Sequence, residues 1–392
     1  MRRGKFRTWT DMEAERLIPQ DDPLRILYEG MNLGFIYELV KDRYTYHGKQ
    51  GFDPVCMIRA LLLIPLGYAE SVRDLAEKLR YDIRLSYLCG FDKDNTPAHN
   101  TFSKFKARLG SELFLRIMTQ AIAKTLAFIK ARSLKLVVDA THLESKFRKS
   151  DPDARWGCKS ERYIFYGYKV HITITDTDPP IPVAVEITPG NVHDGVVLRD
   201  MVEKIPGTRR IKALVADSAY ESRENGQLLL DKGIAPMIGH NPRSQKEPVR
   251  RGDVFFTPKG EFICMAGHEL VYHGYDKTRK RYRFRCPFHD EKENACVYSP
   301  ACGKNLYYIE EDEVADRMNT MRATVAFKKS FGPARSRIER QNSFLKNLCH
   351  MKRLLVRGKE RVSIHVYLSV LAYLMRAYVG LKRGNKGLAP CR

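Results

Sequence analysis

The chain has 392 residues, 43% hydrophobic and 29% charged, which suits two or three domains with a sizeable core and excludes a compositionally disordered chain. Lys and Arg number 68 against 46 Asp and Glu, and a net charge of +22 favours a polyanionic partner, nucleic acid above all. The opening MRRGKFRTWT lacks a secretory apolar region, the runs Met57–Ala69 and Val362–Val379 are too short or too polar to predict a membrane span, and nine cysteines in so large a chain suggest reduced thiols or metal ligands; the expectation is a cytoplasmic, nucleoid-associated protein.

Residues 1–50 mix charges and aromatics without a clear period. From Asp53 the spacing turns helical: Pro54 opens a helix running through Leu66, and Ser71 with Asp74 resembles a capping box ahead of VRDLAEKLR. After YDIRLSYLCGF, Asn100 or Thr101 is placed to cap TFSKFKARLG. Short helices with tight connections predict an all-α N-terminal domain over residues 1–130. It is either a helix-turn-helix-like DNA-binding module or a helical packing unit that never touches DNA.

At Leu134 the period changes. LKLVVDAT reads as a buried strand ending in an acid, and YIFYGYKVHITITDT and PIPVAVEIT as two more strands parted by the turn residues DPP. A helix from Gly195 to Ile205, the buried strand IKALVADSAY, the helix ESRENGQLLLDKG stopped by Gly233, and the short strand IAPMIG follow. The order predicts an α/β fold: an RNase H-like mixed five-stranded sheet with flanking helices, its first part over residues 131–240. Residues 241–313 break the rhythm as a Cys/His-rich insert, and helices over 314–392 complete the core.

The insert carries Cys264, Cys286, Cys296 and Cys302 with His268 and His289. C-P-F-H has knuckle spacing, so Cys264, Cys286, His289, Cys296 and Cys302 are candidate ligands of a structural Zn²⁺; a set of reduced, partly buried thiols is the alternative. Arg279, Lys280, Arg281, Arg283 and Arg285 alternate with Tyr282 and Phe284, as in a basic ribbon that contacts DNA or a solvated strand face.

Two strands each deliver an aspartate at or near their ends, Asp139 in LVVDAT and Asp217 in LVADSAY. Capping a turn is the plain role for either; two alike suggest a shared site. Glu339 is the third acid, within RSRIERQNSFLK. From Arg322 to Arg361 the chain has twelve Lys or Arg and only two acids. On a helix Arg335, Glu339 and Lys346 form one stripe, though Arg335 and Glu339 could also be an ordinary surface ion pair. Clustered carboxylates repel unless a cation stands among them, and Mg²⁺ suits such a set because it keeps waters and binds phosphate oxygens. Glu221, one turn after Asp217, and Asp194, beside His193, are rival acids.

D-A-T, D-S-A-Y and the R-x3-E-x6-K helix resemble the core of DDE-type transposases from bacterial insertion sequences. DPVCMIRALLL, SVRDLAEKL, LSYLCGF and TPAHNTFSKF resemble that family's N-terminal domain, and SDPDARWG, GYKVHI and TPGNVHDG its linking motifs; coverage runs from about residue 50 to 380. One departure is Gly332, with Phe331 beside it, where the family usually has a tyrosine three residues before its arginine. The resemblance implies a DNA transposase that cleaves at element ends and transfers the 3′-OH into target DNA. Asp139, Asp217 and Glu339 would hold two Mg²⁺ ions, with Mn²⁺ as a substitute, and Arg335, Arg337, Arg340 and Lys346 would hold DNA phosphates. Its partners would be the terminal repeats, target DNA and a second copy of itself. An inactive DNA-binding derivative and a nuclease on the same fold are the alternatives.

Overall fold

The computed structural model describes residues 9–44, 51–147, 150–160, 162–207, 210–241, 246–289, 296, 302–310, 314–385 and 387–389. Among the described residues seven α-helices come first: α1 (Trp9–Leu17), α2 (Pro23–Gly30), α3 (Ile36–Val40), α4 (Pro54–Leu62), α5 (Val72–Tyr81), α6 (Ile83–Cys89) and α7 (His99–Leu126). Their starts follow capping chemistry. Asp53 accepts from the backbone of Val55 and Cys56 ahead of Pro54, and Ser71 accepts from the Asp74 amide while Asp74 accepts from that of Glu70. The expected cap of α7 is displaced: the helix begins at His99 after Ala98, and it breaks at Gly110, whose φ of 68° is open to glycine.

The sheet has six strands where five were expected: β1 (Ser133–Glu144), β2 (Arg155–Ser160), β3 (Tyr163–Thr175), β4 (Pro182–Pro189), β5 (Arg210–Ala216) and β6 (Ala235–Ile238). β3 is long enough for two neighbours on one edge. Its first half pairs with β2 and its second half with β4, while β1 lies along the other side. β5 joins β1 in parallel and β6 joins β5 in parallel, giving the mixed order β4-β3-β1-β5-β6. This is the mixed α/β, RNase H-like arrangement.

Both faces of the sheet are covered. Along β5, Ala213 and Val215 face one apolar cluster, and Leu214 and Ala216 face another with α8 (Leu198–Glu203) and α9 (Arg223–Asp231). The first cluster is continuous from the N-terminal helices through the sheet to the last helices, α11 (Val325–Asn347) and α12 (Lys359–Lys382); α10 (Val314–Ala323) packs beside β6 and α9. Among the described residues α12 is the one helix long and apolar enough to cross a membrane, and most of it is buried against α7, α2, α4 and β4.

The stretch expected to be irregular folds into two small sheets. β7 (Val249–Arg251), β8 (Val254–Phe256) and β9 (Phe262–Ile263) form one, and β10 (Val271–Asp276), β11 (Arg281–Arg285) and β12 (Leu306–Glu310) the other. They enclose a core of Val254, Phe256, Phe262, Phe284, Tyr307 and Ile309, which weak periodicity in such short strands concealed. The zinc expectation is not supported. Among the described residues, no three Cys, His, Asp or Glu side chains form a group that could hold an ion. Cys264 is buried in the small core, Cys286 packs at its edge, and Cys302 Sγ lies 3.2 Å from the Tyr307 hydroxyl. Cys296 and His289 join no such group.

Candidate active site

The parallel register of β1 and β5 sets the geometry. Val137 pairs with Val215, so Asp139 and Asp217, each two residues on, emerge level and toward the same face. Asp139 does not end its strand; β1 continues to Glu144 with Asp139 opposite Ile172 on β3. Asp217 lies just beyond β5, where its Oδ1 accepts from the Ala219 amide at 3.0 Å and caps the turn Ser218–Tyr220.

Helix α11 covers this face. Ala334, Ile338, Gln341, Asn342 and Leu345 are its buried stripe, and burying Ile338 and Leu345 contributes roughly 1.5–3 kcal/mol each. That anchoring turns Arg335 and Glu339 toward the aspartates. The Arg335 guanidinium lies 3.1 Å from Asp139, 3.8 Å from Asp217 and 3.7 Å from Glu339. The three acids therefore gather around a cation of the chain itself, not around a space they share. Burial pushes the Asp139 carboxyl up to about 6, with Arg335 opposing and Asp217 adding to the rise. Burial also raises Asp217, again against Arg335. Glu339 is the exposed member, its side chain 64% accessible.

The basic residues divide. Arg337 is bound to Asp176, which also holds Lys135 at 2.5 Å, so its guanidinium ties α11 to the end of β3 and does not stand free for a phosphate. Arg340 is exposed, with Nε 3.3 Å from the Ser336 carbonyl. Lys346 is half-buried over the later part of β1; burial and then Lys159 hold its ammonium down to about 8. His142 nearby is held down to about 4 by burial and then Lys346.

The rival acids have structural partners. Glu221 accepts from Arg322, from the Asn241 amide and from His240 at 3.2 Å. Asp194 is paired with Lys169 at 2.8 Å, and His193 Nδ1 accepts from the Gly195 amide at 3.2 Å. Sequence reasoning missed two neighbours of the acids. Asn342 donates to Asp139 Oδ2 at 3.0 Å; its place three residues after Glu339 and seven after Arg335 puts it on their stripe. Tyr220, three residues after Asp217, has a buried hydroxyl with no hydrogen-bond partner among the described residues, in the field of Asp194, Asp139 and Asp217.

All candidate donors are oxygens, the chemistry that Mg²⁺ and Mn²⁺ accept and Zn²⁺-thiolate sites do not. In the donor chemistry the residues fit such ions; in their placement the Arg335 guanidinium stands where an ion would, and among the described residues no three acids form a group that could hold one.

A family model described as a transposase DDE domain matches residues 130–375, and a second, described as a transposase domain, matches residues 12–108. No curated protein matches the chain. The first match spans more than half of the sequence and contains the whole six-stranded sheet with α11. By that match the chain belongs to the DDE transposase family, whose members act as enzymes on DNA.

Proposed function

We propose that the protein is a transposase that nicks DNA at the ends of a mobile element and transfers the freed 3′-OH into target DNA. The observation that carries this reading is the convergence of Asp139, Asp217 and Glu339, from two strands and a helix, on one point filled by Arg335. Bound divalent ions would supply activation of the attacking oxygen and neutralisation of charge on the leaving oxygen. In nicking, a water oxygen forms a bond to phosphorus, the P–O3′ bond breaks, and the 3′ oxygen takes up a proton. In transfer, that 3′ oxygen attacks a target phosphodiester and displaces its 3′ oxygen, so no net bond energy is needed.

The chain's own groups position this chemistry. Asp139, Asp217 and Glu339 hold the ions, and the Asn342 amide fixes the orientation of Asp139. Arg335, displaced from the carboxylates, Arg340 and Lys346 face the phosphates of the strand being cut. Joining two ends calls for a symmetric pair of subunits, hence a homodimer on DNA, and a DNA substrate with reduced cysteines suits the cytoplasm and nucleoid. The test is incubation of the full chain with Mg²⁺ and linear DNA bearing the flanking ends, beside Asp217→Ala. Site-specific nicks and joined products from the wild type alone are expected. Nicks from both proteins, or from neither, count against the reading, and nicks without joined products indicate a nuclease.

A further inference from the structure

We infer that the outer face of the β10-β11-β12 sheet is a second DNA-docking surface, which grips the phosphate backbone away from the acids. This deepens the function proposed above and rests on it.

The register makes the surface. On the central strand β11, Tyr282 and Phe284 turn into the small core, so Arg281, Arg283 and Arg285 stand together on the other side. Their cross-strand partners on β12 are Glu310, Tyr308 and Leu306, and on β10 Asp276, Gly274 and Val271. Arg281 lies over the Tyr308 ring, 3.7 Å from its centre, and 3.6 Å from Asp276, which fixes one end of the row. Gly274, opposite Arg283, has a φ of 130°, a conformation that glycine adopts readily. Lys277, Arg279 and Lys280 crown the exposed turn between β10 and β11. Among the described residues six cations thus meet two acids, Asp276 and Glu310, on a face whose rim of Val271, Leu306 and Tyr308 is exposed.

A row of like charges on alternate residues of one strand repels itself and weakens the sheet in isolation. A polyanion laid along it removes that cost. Same-face residues recur every ~6.7 Å, so the three arginines span ~13 Å, a length along which they can meet consecutive phosphates of one DNA strand. The contact reads charge spacing, so it is independent of sequence.

The test uses the full chain, a labelled duplex of arbitrary sequence and EDTA, with binding followed by anisotropy across a KCl series. Lys280→Gln with Arg283→Gln should make the log–log salt slope shallower by roughly 1.8 and cost about tenfold in affinity at moderate salt. Val271, exposed and opposite Arg285, gives a variant with little risk to folding: Val271→Lys should tighten binding and Val271→Glu should weaken it. Unchanged slopes in the double variant and unchanged affinities in both Val271 variants overturn the inference. A wild type that nicks element ends while the variants bind normally sinks this surface alone. One that binds through the arginine row but never nicks sinks the transposase reading alone, and one that does not bind DNA sinks both.

Discussion

Asp139→Asn separates the stability of the site from its chemistry. Moving an Asp carboxyl from its ordinary 3.8 to about 6 means that ionised Asp139, 14% exposed even with Arg335 beside it, costs the folded state about 3 kcal/mol. The folded value lies above the unfolded one. The stability conferred by the proton is therefore complete below about pH 4 and lost as pH rises through about 6. Asparagine has the same shape and no charge at any pH, and its carbonyl can still accept from Arg335. In urea melts without divalent ions, the variant should match the wild type near pH 4 and exceed it by up to about 3 kcal/mol at pH 7.5. It should also lose nicking altogether. Adding Mg²⁺ should stabilise the wild type and leave the variant nearly unmoved, because a ligand stabilises only the state that binds it. A variant equally destabilised at both pH values would show that Asp139 is not strained by desolvation, and the reasoning would fail.

Two further predictions concern neighbours of the site. Asn342→Ala removes the donor to Asp139 Oδ2; a loss of about 1–3 kcal/mol of positioning should slow nicking by tenfold or more with DNA affinity retained, and a parallel fall in affinity would refute the orienting role. Asp151 is buried and accepts from Ser145 at 2.7 Å, Tyr168 at 2.5 Å and the Gly358 amide at 3.0 Å. Burial pushes its carboxyl up, but the Tyr168 and Ser145 bonds outweigh it and hold it below the usual range, so its contribution is present above about pH 4 and lost as pH falls further. Asp151→Asn should cost about 1–3 kcal/mol in denaturant melts at pH 7 and progressively less toward pH 3, and a constant cost would refute it.

The catalytic sheet was readable because β1, β3, β4, β5 and β6 are each a run of apolar and β-branched residues with turn signals at the ends. β2 was not, since Arg155–Ser160 has no alternation; it is a strand only because β3 extends past the end of β4 and offers an open edge. The acids were visible through repetition, an aspartate after each of two buried strands. Their level placement was not, because register depends on pairing that no local pattern encodes. Arg337 reads like its neighbours on α11 and differs only in meeting Asp176, a partner 161 residues away. Arg335 was expected at a phosphate, and helical spacing could show its proximity to Glu339 but not the arrival of two strands beneath it. The small sheets of the insert escaped for a plainer reason: strands of two to six residues are too short to display a period.

The burial of Lys359–Lys382 against α2, α4 and α7 also orders events during synthesis. The first seven helices emerge from the ribosome about 250 residues before the helix that covers their apolar sides. At roughly 5–20 residues per second, that leaves them incompletely packed for tens of seconds. Loss of Lys359–Lys382 would accordingly loosen α2, α4 and α7, far away in sequence, as well as the helices beside it.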